Sequence, residues 1–243
     1  MPNDKKASTS TKSAIQALVF DAYETLFDVS SVATSLEQKF PGQGAAVSAA
    51  WRAKQLQYTW LRALTGQYED FWKVTESALV FVCNDMKLHV QGGLQVQPAP
   101  VERAARAKLM DAYLHLEPFP EVKQVLQSLS AQRLAILSNG TLAMLQGVVE
   151  NAGLKKVFSQ IISADEAKTY KPNPAVYELA VGKLGLDKHK IGFVSSNFWD
   201  VAGAKAFGFR TYWVNRSGAP EEELGVRPDA TLRSLSDLGS DSF

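Results

Sequence analysis

Apolar residues cluster from residue 16 onward in five short runs, QALVF, RLAILS, SQIIS, KIGFVS and FRTYWV. Between most of them the apolar positions spread to helical spacing, over Glu121 to Ser130, Thr141 to Ala152, Pro174 to Leu184 and Asp200 to Phe207. Pro174 suits the first turn of its helix, where a missing amide proton costs nothing, and Gly153 and Gly185 stand where helices should stop. Strands that alternate with helices imply a parallel sheet covered on both faces.

One interval breaks this rhythm. Between the first run and PFPEVKQVLQSL lie about ninety residues that read as nearly all helix, carried by AAVSAAWRAKQLQYTWLRAL, DFWKVTESALVFVCNDM and VERAARAKLMDAYLHL. The pattern therefore predicts an α/β protein. Residues 15–27 and 116–243 form a Rossmann-like, doubly wound parallel sheet core, and residues 28–115 form an all-helical cap inserted after the first strand. Open α/β sheets bind ligands at the carboxyl ends of their strands, so an insert at that edge is a candidate lid. Within it VQGGLQVQPAP, residues 90–100, is the expected loop, and the polar residues 1–14 are expected to be a disordered tail.

Composition narrows the classes. The 243 residues carry a net charge of +1 with acids and bases interspersed, which argues against a nucleic-acid partner or an anionic membrane surface. No apolar stretch has the length of a signal peptide or membrane span, so a cytoplasmic location is expected. The single Cys83 excludes an internal disulfide framework and reads as a small buried hydrophobe. His89, His115 and His189 show no acidic or thiol neighbours at ligand spacing and receive no role.

Four polar clusters fall at the expected carboxyl ends of separate strands. ALVFDAYETLFD ends its apolar run on Asp21, followed by Tyr23 and Thr25. LSNG places Ser138 and Asn139 before a helix whose first amides can hold an anion, TYKPNP carries Lys171, and FVSSNFWD carries Ser195, Ser196, Asn197 and Asp200. Any one such cluster can be a helix cap. Four on separate strands converge on one place.

The order FDAYETLFD, LSNG, YKPNPAVYE, GFVSSNFWD resembles the haloacid dehalogenase-like superfamily, and within it the L-2-haloacid dehalogenases, from about residue 16 to about residue 235. Phosphatases of that superfamily carry a second Asp two residues after the nucleophile, to protonate a departing alkoxide, and an acidic pair in the fourth motif for magnesium. Here those positions hold Tyr23, and Ser195 and Ser196 beside Asp200. A halide needs no proton on leaving, and a 2-haloacid carries one negative charge where a phosphate monoester carries about two.

The resemblance implies that Asp21 attacks C2 of an L-2-haloacid opposite the halogen, forming an ester that water hydrolyses to the D-hydroxy acid. It implies that Arg52 and Asn139 receive the halide, and that Ser138, Lys171 and the amides of Ala22 and Tyr23 hold the substrate. Asp200 orients and deprotonates the water with Lys171, Ser195 and Asn197. Thr25 and Tyr177 support the site, while Leu56, Phe71, Tyr23 and Trp199 form the wall around the alkyl group. It further implies a homodimer, no metal and no cofactor. A magnesium phosphatase of the same superfamily and a non-catalytic binding protein are the rival readings. Two departures stand out: Glu24, where relatives have Gly, is expected to point outward, and Ala53, where relatives often have Gln, is expected to widen the substrate entrance.

Overall fold

The computed structural model describes residues 14–88 and 103–239. Six strands, β1 (Ala17–Phe20), β2 (Arg133–Ser138), β3 (Gln160–Ser163), β4 (Ile191–Ser195), β5 (Arg210–Val214) and β6 (Ala230–Leu232), form one sheet in the order β3-β2-β1-β4-β5-β6. Every pairing in it is parallel. The five expected strands are present. The sixth escapes the pattern because it is three residues long with only Leu232 buried.

All four residues of β1 are buried, because the strand lies mid-sheet with helices on both faces. Leu18 and Phe20 enter one apolar layer, and Ala17 and Val19 enter the other. Phe20 is flanked by Ile136 of β2 and Val194 of β4. The connections leave β1 in opposite directions along the sheet, to β2 and β3 on one side and to β4, β5 and β6 on the other. The carboxyl ends of β1 and β4 therefore open a crevice at the reversal point.

Between β1 and β2 lie α1 (Ser31–Lys39), α2 (Gly44–Thr65), α3 (Phe71–Asp85), α4 (Arg103–Asp111), continued by a 3-10 turn (Ala112–Leu114), and α5 (Val122–Ser128). The final expected segment of the insert is thus shorter as α-helix than its periodicity suggests. Residues 1–13 and 90–100, expected as tail and loop, lie outside the described residues. On α2 a stripe of Val47, Trp51, Gln55 and Thr59 repeats every four residues and is buried. Trp51 donates to the Thr75 carbonyl at 2.8 Å and Gln55 to the Thr75 hydroxyl at 2.7 Å, which fixes α2 on α3. The next positions around the helix, Arg52 and Leu56, are thereby turned toward the strand ends.

The remaining helices are α6 (Leu142–Asn151), α7 (Pro174–Leu184) and α8 (Phe198–Phe207), which begins two residues before the expected start. Gly203 of α8 permits a close approach: a Cβ there would come within 2.5 Å of Pro172 and 2.6 Å of the Tyr177 hydroxyl. Among the described residues no helix is long and apolar enough to cross a membrane.

Candidate active site

A small cleft opens at the carboxyl edge of β1, β2 and β4. Its lining comprises Asp21, Tyr23, Arg52, Leu56, Phe71, Ser138, Asn139, Asn197 and Trp199. All of these were singled out in the sequence, and they come from three strand ends and two helices of the insert. Thr25, Lys171, Tyr177, Ser195 and Asp200 lie behind Asp21, out of the lining, where they fix its carboxylate and one another.

Asp21, 6% exposed, follows the last residue of β1. Its Oδ2 accepts from Asn197 Nδ2 at 2.9 Å and Thr25 Oγ1 at 3.1 Å, with Ser195 Oγ at 3.5 Å. Its Oδ1 accepts from Lys171 Nζ at 3.1 Å. Thr25 in turn accepts from the Ser196 amide at 2.9 Å, so it locks the β1 turn to the β4 turn. A carboxylate held by this many fixed donors keeps one orientation.

Lys171 is buried and also donates to Asp200 Oδ2 at 2.8 Å, so one ammonium serves two carboxylates. Burial pulls the Lys171 pKa down, but Asp200 and Asp21 outweigh it and hold the group above its ordinary value. Asp200 is fully buried, and its Oδ1 accepts from the Tyr177 hydroxyl at 2.8 Å. Burial pushes Asp200 up to about 6, with Lys171 opposing the rise and Asp21 adding to it. A divalent cation between these two carboxylates would have to displace Lys171, so the residues present do not fit the magnesium site of the phosphatases. Among the described residues no group of three His, Cys, Asp or Glu side chains stands ready to hold a metal ion.

The remaining lining is built to meet an anion with an apolar body. Asn139 Oδ1 accepts from the Lys171 amide at 2.9 Å, which leaves its Nδ2 as the group free to donate into the cleft. The backbone amides of Ala22 and Tyr23 donate to no acceptor among the described residues. The Tyr23 hydroxyl is buried without a partner, and burial drives its pKa far above the ordinary phenol value, so it stays neutral. Phe71 stacks on Tyr23 at 5.8 Å, and Trp199 meets Trp60 of α2 edge-on at 5.6 Å.

Three sequence expectations need correction. Glu24 does not simply point outward: it is partly exposed, yet its carboxylate lies 3.5 Å from Arg52 Nε. Ala53 is exposed and absent from the cleft lining, because it sits on the solvent side of the α2 stripe, so its size cannot widen the entrance. His115 does have an acidic neighbour, Asp111 at 3.4 Å one helical turn back, although both are exposed and neither lines the cleft. His89 lies outside the described residues.

Arg216, beyond the end of β5, belongs to none of the four sequence clusters. Its Nη1 donates to the Glu24 carbonyl at 3.1 Å and to Ser196 Oγ at 3.0 Å, and its Nη2 donates to the Thr25 carbonyl at 3.0 Å and to Glu121 at 2.7 Å. It packs on the Phe119 ring at 3.8 Å. This clamp holds the turn after Asp21, where Glu24 adopts a left-handed φ of +65°, a conformation that costs a non-glycine residue roughly 1–2 kcal/mol. The available signal was position alone: a cation at the carboxyl edge of a further strand.

A family model for haloacid dehalogenase-like hydrolases matches residues 15–208. The chain is 46% identical over 220 residues to haloacetate dehalogenase H-2 of Moraxella sp. (strain B), covering 90% of this chain and 93% of that one. It is 47% identical over 226 residues to (S)-2-haloacid dehalogenase 2 of Pseudomonas sp. (strain CBS-3), covering 92% and 94%. Its fold matches the L-2-haloacid dehalogenase of Xanthobacter autotrophicus with chloropropionic acid covalently bound, at a TM-score of 0.84 and 40% identity over 92% of this chain and 96% of that one.

Proposed function

The chain belongs to the haloacid dehalogenase-like hydrolases, and from that premise we propose that it hydrolyses L-2-haloalkanoic acids to D-2-hydroxyalkanoic acids through an ester on Asp21. The observation that carries this reading is the lining of the cleft. Asp21 is its sole carboxylate, and it faces a cationic side chain, amide donors and aromatic rings.

In the first step an Asp21 oxygen forms a bond to C2 while the carbon–halogen bond breaks, its electron pair leaving with the halide. Arg52 and Asn139 Nδ2 receive the halide, and the Ala22 and Tyr23 amides with Ser138 hold the substrate carboxylate. Leu56, Phe71, Tyr23 and Trp199 enclose the alkyl group. Water then attacks the ester carbonyl carbon of Asp21, and the product departs with an oxygen that came from the enzyme. Asn197 and Ser195 position that water, and Asp200 takes its proton while Lys171 steadies the charge developing on the ester. Tyr177 and Thr25 hold Asp200 and Asp21 in place. No metal ion is required, since Lys171 supplies the positive charge between the two acids.

We further propose that residues 28–115 act as a cap domain over a core of residues 15–27 and 116–243. The Tyr68 hydroxyl supports this by donating to Asp165 across the two parts at 2.7 Å. Exposed Leu61 and Leu64 on α2 and Phe81 on α3 favour a homodimer formed through the insert.

Halide release from resolved L- and D-2-chloropropionate, with and without EDTA, tests the whole reading. Release from the L isomer alone, undiminished by chelator, is the expected result. Loss of release on chelation would favour the phosphatase-like alternative, and release from neither isomer would favour a binding role.

The ionisation of Asp200 sets the acid limb. Proton uptake by the water-activating group demands its carboxylate form, so kcat, which contains the hydrolysis of the ester, should fall as pH drops through about 6, roughly tenfold per unit. A pH–rate profile flat to well below that value would remove Asp200 from the role of base.

A further inference from the structure

Glu24 combines a left-handed backbone with a side chain aimed at a cleft-lining cation. Its amide donates to the Phe27 carbonyl at 2.7 Å and its own carbonyl accepts from Arg216, so the main chain is fixed at both ends of the residue. From that fixed point the carboxylate spans from the β1 turn to α2 and stops 3.5 Å from Arg52 Nε.

The opposite edge of the guanidinium is anchored differently. Arg52 Nη1 donates to Gln55 Oε1 at 2.7 Å, and Gln55 is fully buried against Thr75. Arg52 thus has one firm neutral partner and one anionic partner at charge-pair distance. Its buried Nε makes no hydrogen bond, so Glu24 acts on it through charge alone. Arg52 also lines the cleft with Asn139 and Trp199, where any incoming or departing anion must share it with Glu24.

We propose that Glu24 is a positioning residue that weakens Arg52 as an anion receiver, so that halide leaves the cleft faster than an unpaired arginine would allow. The inference rests on the reading of Arg52 as the halide's receiver. Arg52 is 14% exposed and Glu24 43% exposed, so solvent screens the pair and the effect is moderate. Removing the carboxylate should tighten anion binding roughly three- to fivefold.

The test compares the wild type with Glu24→Gln and Glu24→Gly. Bromide binding is followed by titration calorimetry, and bromide inhibition, KM and kcat are followed with L-2-chloropropionate. Both variants should bind bromide and substrate roughly three- to fivefold more tightly, with a smaller change in kcat before halide release becomes limiting. Glu24→Gly should also melt at a higher temperature, because glycine adopts the positive φ freely, whereas Glu24→Gln should not. That contrast separates charge from backbone. Bromide affinity equal to or weaker than that of the wild type in both variants overturns the proposal. A wild type that binds bromide yet never releases halide from the substrate would instead sink the dehalogenase reading, while the calorimetric comparison still decides the role of Glu24.

Discussion

Asp21→Asn is expected to abolish halide release, by roughly 10⁴-fold or more, while leaving the fold nearly intact. The amide is isosteric, and its oxygen can still accept from Thr25 or Lys171. What it loses is the negative charge that must form the new bond to C2. Removing a nucleophile differs from removing a helper, because no neighbour can take its place: the other buried acid, Asp200, is held behind Lys171 and does not line the cleft. The measurement is single-turnover halide release, with circular dichroism of the variant as a control for folding. A second measurement isolates the covalent step. When the wild type, in excess over substrate, turns over once in water enriched in heavy oxygen, the first product should contain ordinary oxygen. Label in that first product would mean that water, not Asp21, attacks the substrate.

Lys171→Met should damage both stability and catalysis. Methionine matches the length of the lysine stem but leaves Asp21 and Asp200 facing each other without a cation. Breaking a buried charge pair by removing one member typically costs about 3–5 kcal/mol, and here one member serves two partners. The sign of the pH dependence follows from the acids. In the wild type the raised Lys171 keeps its proton through the neutral range, so its contribution is present there and is lost only as pH rises through its folded-state value. In the variant Asp200, already at about 6 with its cation present, loses the influence that opposed the rise and is driven higher. Folding then takes up a proton, and the destabilisation seen at about pH 8 should shrink toward about pH 5. Urea unfolding at the two pH values reads this directly. A loss of stability that is small, or that grows on acidification, would contradict the shared-cation picture.

Much of this arrangement was legible in the sequence, for physical reasons. A buried strand that ends on an acid is costly unless the acid is used, so Asp21 stood out, and the three later strand ends repeated the signal. The side chains behind the nucleophile, Lys171, Ser195 and Asp200, could be placed because a parallel sheet brings its strand ends to one edge. Partners chosen by side-chain reach are different. The contact of Glu24 with Arg52 depends on a backbone angle and on how α2 is rotated, neither of which periodicity specifies. The Arg216 clamp was hidden because one cation after a strand looks like any surface arginine. The strand β6 was too short to show a pattern at all.

The position of β1 in the sheet has a further consequence, for biogenesis. The strand that leads to the nucleophile is made before either of its hydrogen-bonded neighbours, β2 and β4, which lie more than a hundred residues downstream. Contacts of such sequence separation are slow to form, because the intervening chain must be ordered before they reward it. The helices of the insert, which hold one another through local contacts such as Trp51 to Thr75, can gather while Ala17–Phe20 still waits for its partners. The catalytic edge is therefore completed only once β4 has been made, long after the residue at its centre.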